Sequence, residues 1–293
     1  MLEMRHVSKA FGPVKALDDL CLRVPQGAVY GLVGPNGAGK STAIRHLTGI
    51  YRPDAGSVTL EGLPIYENPI VKKDIVAIGD EPFWFPGATL EEMARFYGGM
   101  YPGFDKALFD RLQQVFALPR RSAIRKFSKG MQKQAAFQLT LCIRPDVLIL
   151  DEPVDGLDPV MRRQVWNLIL SDVAQRETTV LISSHNLREL EDICDHVGIM
   201  DHGKMLLQRS LADMQGATYK MQLVGDVPEG LQVLHENQSG RLKTLVVRGS
   251  AGEITQRMQN AGLAYFDILP LSLEEIFIYE LGGVNYEVKN MVL

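Results

Sequence analysis

Cysteine is scarce, with three in 293 residues, at positions 21, 142 and 194. An odd, widely separated set forms neither a disulfide framework nor a zinc-binding spacing. All three stand in apolar-periodic surroundings, so buried thiols in a reduced, cytosolic setting are expected. Long hydrophobic runs are missing too. Stretches such as 147–150 are strand-sized, far below the roughly 18–20 residues that span a bilayer. A membrane role would therefore have to come through a partner chain. The opening M-L-E-M-R-H-V has no apolar segment and indicates no secretory signal. Basic excess is also missing. Thirty-one Lys and Arg against 35 Asp and Glu give a net charge of −4, so no overall field favours nucleic acid. There is no internal repeat and no low-complexity stretch. The remaining composition is that of an ordinary globular chain, long enough for about two domains.

The chain is organised around Gly34-Pro35-Asn36-Gly37-Ala38-Gly39-Lys40-Ser41-Thr42. This fits G-x-x-x-x-G-K-[ST]. A short apolar stretch, 28–33, precedes it and reads as a buried strand. Residues 43, 44 and 47 then place apolar side chains on one helical face. Glycines let the backbone turn tightly and approach an anion. Successive N–H groups then point into one concavity at the positive end of a helix. Lys40 reaches β- and γ-phosphates in such a loop, and the Ser41 hydroxyl ligates Mg²⁺.

A second signal is Val147-Leu148-Ile149-Leu150-Asp151-Glu152-Pro153. Four apolar residues read as a buried parallel strand. Two acids sit at its C-terminal end, where open α/β sheets bind ligands. Asp151 suits Mg²⁺, and Glu152 suits taking a proton from an attacking water. A third apolar strand, 179–183, ends in Ser184-His185-Asn186. His185 is open to a structural or a catalytic reading there.

The remaining elements follow from pattern. Residues 2–29 alternate and are punctuated by Pro13 and Gly27, which suggests β-hairpins. Phe11 is either a core aromatic or a plate on which a base stacks. Residues 57–60 and 75–78 read as strands. From 89 to 118 the pattern turns helical, opened by a Thr89–Glu92 capping box. Phe83-Trp84-Phe85 could be interface or core. Residues 118–133 carry six Lys or Arg, which read alone as a solvated face. Helices are expected at 132–143 and 187–194, with a hairpin over 197–208. Strands at 219–224, 231–235, 242–248 and 264–269 and helices at 253–260 and 272–281 suggest a small α+β domain. That tail carries no constellation for chemistry.

Five motifs in order carry a resemblance: the glycine loop, Phe127-Ser128-Lys129-Gly130-Met131, the Asp151-Glu152 strand, Gly156-Leu157-Asp158-Pro159, and Ser183-Ser184-His185. The chain resembles an ABC-transporter ATP-binding subunit, most clearly over residues 1 to about 210. The Ser-Lys-Gly-Met form and Leu273-Glu274-Glu275-Ile276-Phe277 resemble bacterial exporters of the drug, antibiotic or lantibiotic-immunity kind. The resemblance implies an α/β P-loop fold with a mixed sheet core, an N-terminal antiparallel β subdomain and a helical insert at about 83–145. Domains at 1–215 and 216–293 are expected. It implies ATP and Mg²⁺ as cofactors, an integral membrane permease as partner, and a second ATP-binding subunit. It also implies a peripheral place on the cytoplasmic face of the membrane and no nucleic-acid partner.

Roles carry over by position. Phe11 falls where the family stacks an aromatic on adenine. Ser128 and Gly130 fall in the signature that contacts the γ-phosphate of the opposite subunit. Asp158 lies in the loop that communicates across the dimer, and His185 is the switch histidine. Lys129 and Met131 depart from the usual L-S-G-G-Q. Asp80 stands where the family usually has a Gln ligand to Mg²⁺. A carboxylate still ligates Mg²⁺, but it adds negative charge beside the triphosphate. A soluble ABC ATPase acting on ribosomes or DNA is the alternative. Its usual second cassette, long coiled coil or basic arm is not seen here. A non-catalytic regulatory module is a third reading, which the intact Lys40 and Glu152 oppose.

Overall fold

The computed structural model describes residues 1–215, 218–263, 265–269, 271–272 and 275. Its elements begin with β1 (Leu2–Phe11), β2 (Val14–Val24), β3 (Val29–Val33) and α1 (Lys40–Leu47). Next come β4 (Ala55–Leu60), β5 (Leu63–Pro64), α2 (Pro69–Lys72), β6 (Ile75–Ile78), α3 (Leu90–Met100) and α4 (Lys106–Phe116). They continue with α5 (Lys129–Ile143), β7 (Val147–Asp151), α6 (Pro159–Arg176), β8 (Thr179–Ser184) and α7 (Arg188–Glu191). The last are β9 (His196–Asp201), β10 (Lys204–Ser210), α8 (Leu211–Gln215), β11 (Thr218–Val224), β12 (Gln232–Ser239), β13 (Leu242–Arg248), α9 (Ala251–Asn260) and β14 (Tyr265–Leu269). Among the described residues no helix is long and apolar enough to cross a membrane.

The strands form three sheets, ordered β2-β1-β4-β5, β10-β9-β3-β8-β7-β6 and β12-β13-β11-β14. The first is antiparallel, with β1 and β2 forming the expected hairpin. In the second, β3, β8, β7 and β6 run parallel. Parallel strands covered on both faces need apolar residues on both, which is why β3 and the first four residues of β7 are wholly buried. Register then sets Val33 beside Ser184 and Asp151 beside Ser183. The ends that carry the motifs are thus neighbours.

The chain divides into two compact units, one of Met1–His185 with Gly198–Gln208, the other of Asn186–Val197 with residues from Arg209 onward. In the first, Leu2, Leu20 and Leu22 join Tyr30, Ile149 and Leu181 in one buried cluster. In the second, Met221, Leu245, Val247, Ile254 and Met258 form another.

Helix starts follow their caps. Thr89 and Glu92 close a reciprocal box at α3. Asp105 accepts from the Leu108 N–H at α4. Ser128 caps α5, which therefore starts three residues before the expected 132. The helix expected at 187–194 shrinks to α7. Leu187 has no side-chain oxygen to cap it, and Leu190 and Ile193 bond three residues back, which closes short turns instead. The strand expected at 231–235 runs on to Ser239. Its side chains are all exposed, so it lacks the alternation that marks a strand end. The helix expected over 272–281 and the 273–277 segment lie outside the described residues, apart from Ser272 and Glu275.

Two burial expectations change. Cys21 is exposed, unlike Cys142 and Cys194. On β2, Leu20, Leu22 and Val24 face inward, and period-2 alternation turns Cys21 outward. The aromatic triplet splits, with Trp84 buried while Phe83 and Phe85 are exposed.

Candidate functional site

The glycine loop leaves β3 and enters α1, where its residues line a cleft of about 480 Å³. Pro35, Asn36, Gly37, Ala38, Gly39, Lys40, Ser41 and Thr42 all contribute, together with Asp80, Asp151 and Glu152. Gly34 lies just below, where a Cβ would collide with the Met200 carbonyl. Gly39 adopts φ +104°, and a Cβ on it would lie 2.7 Å from the Ala16 carbonyl oxygen. Only glycine meets both conditions. The β9–β10 turn braces the loop from one side, with the Gly203 N–H donating to the Ala38 carbonyl at 2.9 Å.

Lys40 is buried, and its Nζ donates to the Gly34 carbonyl at 2.6 Å and the Pro35 carbonyl at 3.3 Å. Burial pushes its pKa down, while Glu152 and Asp151 act to raise it. The ammonium is thus already stripped of water and folded back on the loop. Carbonyl contacts of this kind are exchangeable for phosphate oxygens, which suit a cation better.

At the end of β7, Asp151 accepts from the Ser183 hydroxyl at 2.5 Å. Glu152 follows with φ +45°, in the left-handed region. Non-glycine residues there carry strain of about 1–2 kcal/mol. The turn aims the Glu152 carboxylate back across the sheet end. Its Oε2 lies 2.9 Å from His185 Nδ1, and its Oε1 lies 3.8 Å from Lys40 Nζ. Glu152, His185 and Lys40 therefore share one polar cluster at the mouth of the cleft.

Asp80 also lines the cleft. Its Oδ1 lies 3.2 Å from Lys133 Nζ and 3.7 Å from Lys129 Nζ. Two ammonium groups offset the charge that Asp80 adds. Among the described residues no group of three or more His, Cys, Asp or Glu could hold a metal ion. The donor set present, a hydroxyl from Ser41 and carboxylates from Asp151 and Asp80, suits Mg²⁺. That ion is usually held by one or two carboxylates plus phosphates and water.

The other expected residues lie outside this cleft. Phe11 packs on Tyr51 with ring centroids 5.3 Å apart and under the Lys9 ammonium, and the adjacent Val14, Lys15 and Ala16 line the cleft instead. Ser128 caps α5. Gly130 packs so closely on the loop after β7 that a Cβ would lie 2.7 Å from the Gly156 carbonyl oxygen. Asp158 accepts from the Val160 and Met161 N–H groups at 3.0 Å and starts α6.

Sequence reasoning missed three residues here. Ser183 was seen only as part of a motif, yet its hydroxyl orders Asp151 and lies 3.2 Å from the Glu152 N–H. His202 lines the cleft from the β9–β10 turn, and no local pattern marks it. Lys133 ends the basic stretch 120–133, a solvated face when read alone and part of a composite active site by the resemblance, which gives Lys133 no role of its own; it is fully buried. Its position four residues before the buried Phe137 on one helical face was the available signal.

The family described as ABC transporter matches residues 17–155. ABC transporter ATP-binding protein YtrB of Bacillus subtilis is 30% identical over 97% of this chain and 99% of that protein. The chain belongs to the family of ABC transporter ATP-binding proteins. Bacitracin transport ATP-binding protein BcrA of Bacillus licheniformis is 29% identical over 97% of this chain and 98% of that protein. A solved ATP-binding subunit of an ABC transporter is 29% identical, covers 73% of this chain and 92% of its own, and superposes with a TM-score of 0.68. As an ABC transporter ATP-binding protein, the chain is an α/β P-loop ATPase, the ATP-binding and ATP-hydrolysing subunit of a transporter. The cleft between the glycine loop and Glu152 is of the right chemistry for that activity.

Proposed function

We propose that this subunit binds ATP with Mg²⁺ in the glycine-loop cleft and hydrolyses it by in-line attack of water on the γ-phosphorus. The observation that carries this is the cluster of Glu152, His185 and Lys40 at one end of the loop. Lys40 leaves the Gly34 carbonyl for the β- and γ-phosphate oxygens and neutralises charge there. Glu152 takes the proton of the attacking water. His185, bonded to Glu152, orients the carboxylate and meets the γ-phosphate. Ser41, Asp151 and Asp80 would hold Mg²⁺, which supplies charge neutralisation at the phosphates. The bond from γ-phosphorus to the bridging oxygen breaks, and ADP and phosphate leave.

Residues 1–215 form the ATP-binding domain in this reading and 216–293 an accessory domain. Ser128, Gly130 and Asp158 serve a second ATP-binding subunit, an identical or related chain, closing on the nucleotide from the other side. Their place outside this chain's own cleft supports that role. Hydrolysis removes the bridging group, so the two subunits separate. Phe11 stacks on adenine. The complex drives an integral membrane permease as an exporter, docked peripherally on the cytoplasmic face through the region 83–118. The exposed Phe83, Phe85 and Phe96 support this contact. The relative named for bacitracin transport supports a cargo of antibiotic type.

The test is Glu152→Gln in the full chain. ATP binding should persist, turnover should vanish, and a nucleotide-bound dimer should accumulate in sizing experiments. Unchanged turnover rejects Glu152 as the base. Phe83→Ala with Phe85→Ala should release the permease from a pull-down, and retained complex removes the proposed contact.

A further inference from the structure

Lys133 is buried on α5, and no step above uses it. Its Nζ donates to the Glu152 carbonyl at 2.6 Å and to Asp80 Oδ1 at 3.2 Å. An ammonium group removed from water is costly unless it is paired and hydrogen-bonded. Here one carboxylate and one carbonyl receive it. The carbonyl matters most, because it belongs to the residue with the left-handed backbone.

The Glu152 peptide is gripped from both sides. Its N–H donates to the Ser183 hydroxyl and carbonyl, each at 3.2 Å. Its C=O accepts from Lys133 at 2.6 Å and, more loosely, from the Asp155 N–H at 3.4 Å. A strained backbone persists only where its surroundings over-determine it. Loss of the Lys133 grip frees the residue to relax toward the right-handed region. Relaxation swings the carboxylate away from His185 and Lys40.

We propose that Lys133 is a positioning residue for Glu152, holding the turn that aims the base at the glycine-loop cleft. Lys129, one turn earlier on α5, supports the same arrangement. It donates to Asp155 at 2.9 Å, just beyond Glu152. That bond raises the Lys129 pKa and lowers that of Asp155. The inference rests on Glu152 being the base.

The test compares Lys133→Met, Lys133→Arg and Glu152→Gln in the full chain. Turnover is counted per ATP-binding site, so that partial unfolding does not mimic a catalytic loss. Lys133→Met should lower kcat by about ten- to a hundred-fold, as expected for a misaimed base. The Kd for ATP should rise by only a few-fold, well short of the fall in kcat, because the glycine loop is untouched and only part of the offset to the Asp80 charge is lost. Lys133→Arg, which keeps a charged donor, should recover part of kcat. If Lys133→Met does not fold, Lys133→Gln is measured by the same criteria. A kcat within about two-fold of the parent in a folded variant overturns the inference, as does a loss of affinity as large as the loss of rate. Glu152→Gln separates the failures. If it is inactive while Lys133→Met is active, only the positioning role falls. If Glu152→Gln turns over, the assignment of the base falls first.

Discussion

Alanine at Gly37 and at Gly39 should have different consequences, although both glycines have positive φ, +85° and +104°. The first carries only backbone strain, because nothing lies within 4 Å of the position a Cβ would take. That strain is about 1–2 kcal/mol. The second carries the same strain plus a clash with the Ala16 carbonyl oxygen at 2.7 Å. That oxygen is main-chain, on β2 between the paired Lys15 and Leu17, and is not the end of a flexible side chain, so it yields little. Overpacking of this kind costs about 1–3 kcal/mol more. Gly39→Ala should thus be the less stable by about 1–3 kcal/mol, a Tm lower by roughly 2–10 °C for a domain of this size. Thermal and urea unfolding without nucleotide measure the difference. Gly37 lines the cleft, so its new methyl group occupies ligand space, and Gly37→Ala should lose ATP affinity while keeping most of its stability. Equal stability of the two variants, within about 0.5 kcal/mol, refutes the claimed close approach.

Three further outcomes are expected. Trp84→Ala should destabilise the chain by about 3–5 kcal/mol in urea unfolding, because a large buried ring is removed. A cost below about 1 kcal/mol contradicts its core position. Native thiol titration at pH 8 should show one fast group, Cys21. Cys142 is slow because burial pushes its pKa up to about 12, and burial raises Cys194 as well; two fast thiols contradict this. Stability should decline in acid. Lys9 and the Ala10 N–H hold the Asp54 pKa below its usual value, and Lys15 and Lys204 do so for Asp18. Their stabilisation is complete above the ordinary carboxylate range and is lost as pH falls through the lower folded values. Urea midpoints measured from pH 7 to pH 2 check this, and a midpoint that rises in acid opposes it.

The motif-bearing strands were legible because parallel strands buried on both faces need unbroken apolar runs, as at 147–150. Caps were legible at Thr89 because two side chains close a box with fixed spacing. The end of α7 was not, since no local residue marks where bonding shifts to three-residue turns. β12 was legible only in part, for its polar side chains carry no alternation. The outward face of Cys21 was present in the Leu20–Leu22–Val24 alternation. The split of Phe83-Trp84-Phe85 was not, because burial of three adjacent aromatics depends on what packs over them.

By itself the sequence determined the glycine loop, the acid pair after its strand and the order of motifs, and so the family and its reaction. These are local matters, since phosphate binding requires particular residues at contiguous positions. The tertiary structure alone decided which distant groups meet them. Register between β7 and β8 sets Ser183 beside Asp151. The left-handed turn at Glu152 brings its carboxylate to His185 and toward Lys40. Packing of α5 carries a lysine from a basic run into the interior, against Asp80 and the Glu152 carbonyl. Such meetings join residues from 19 to 112 positions apart in the chain, and no local pattern encodes them.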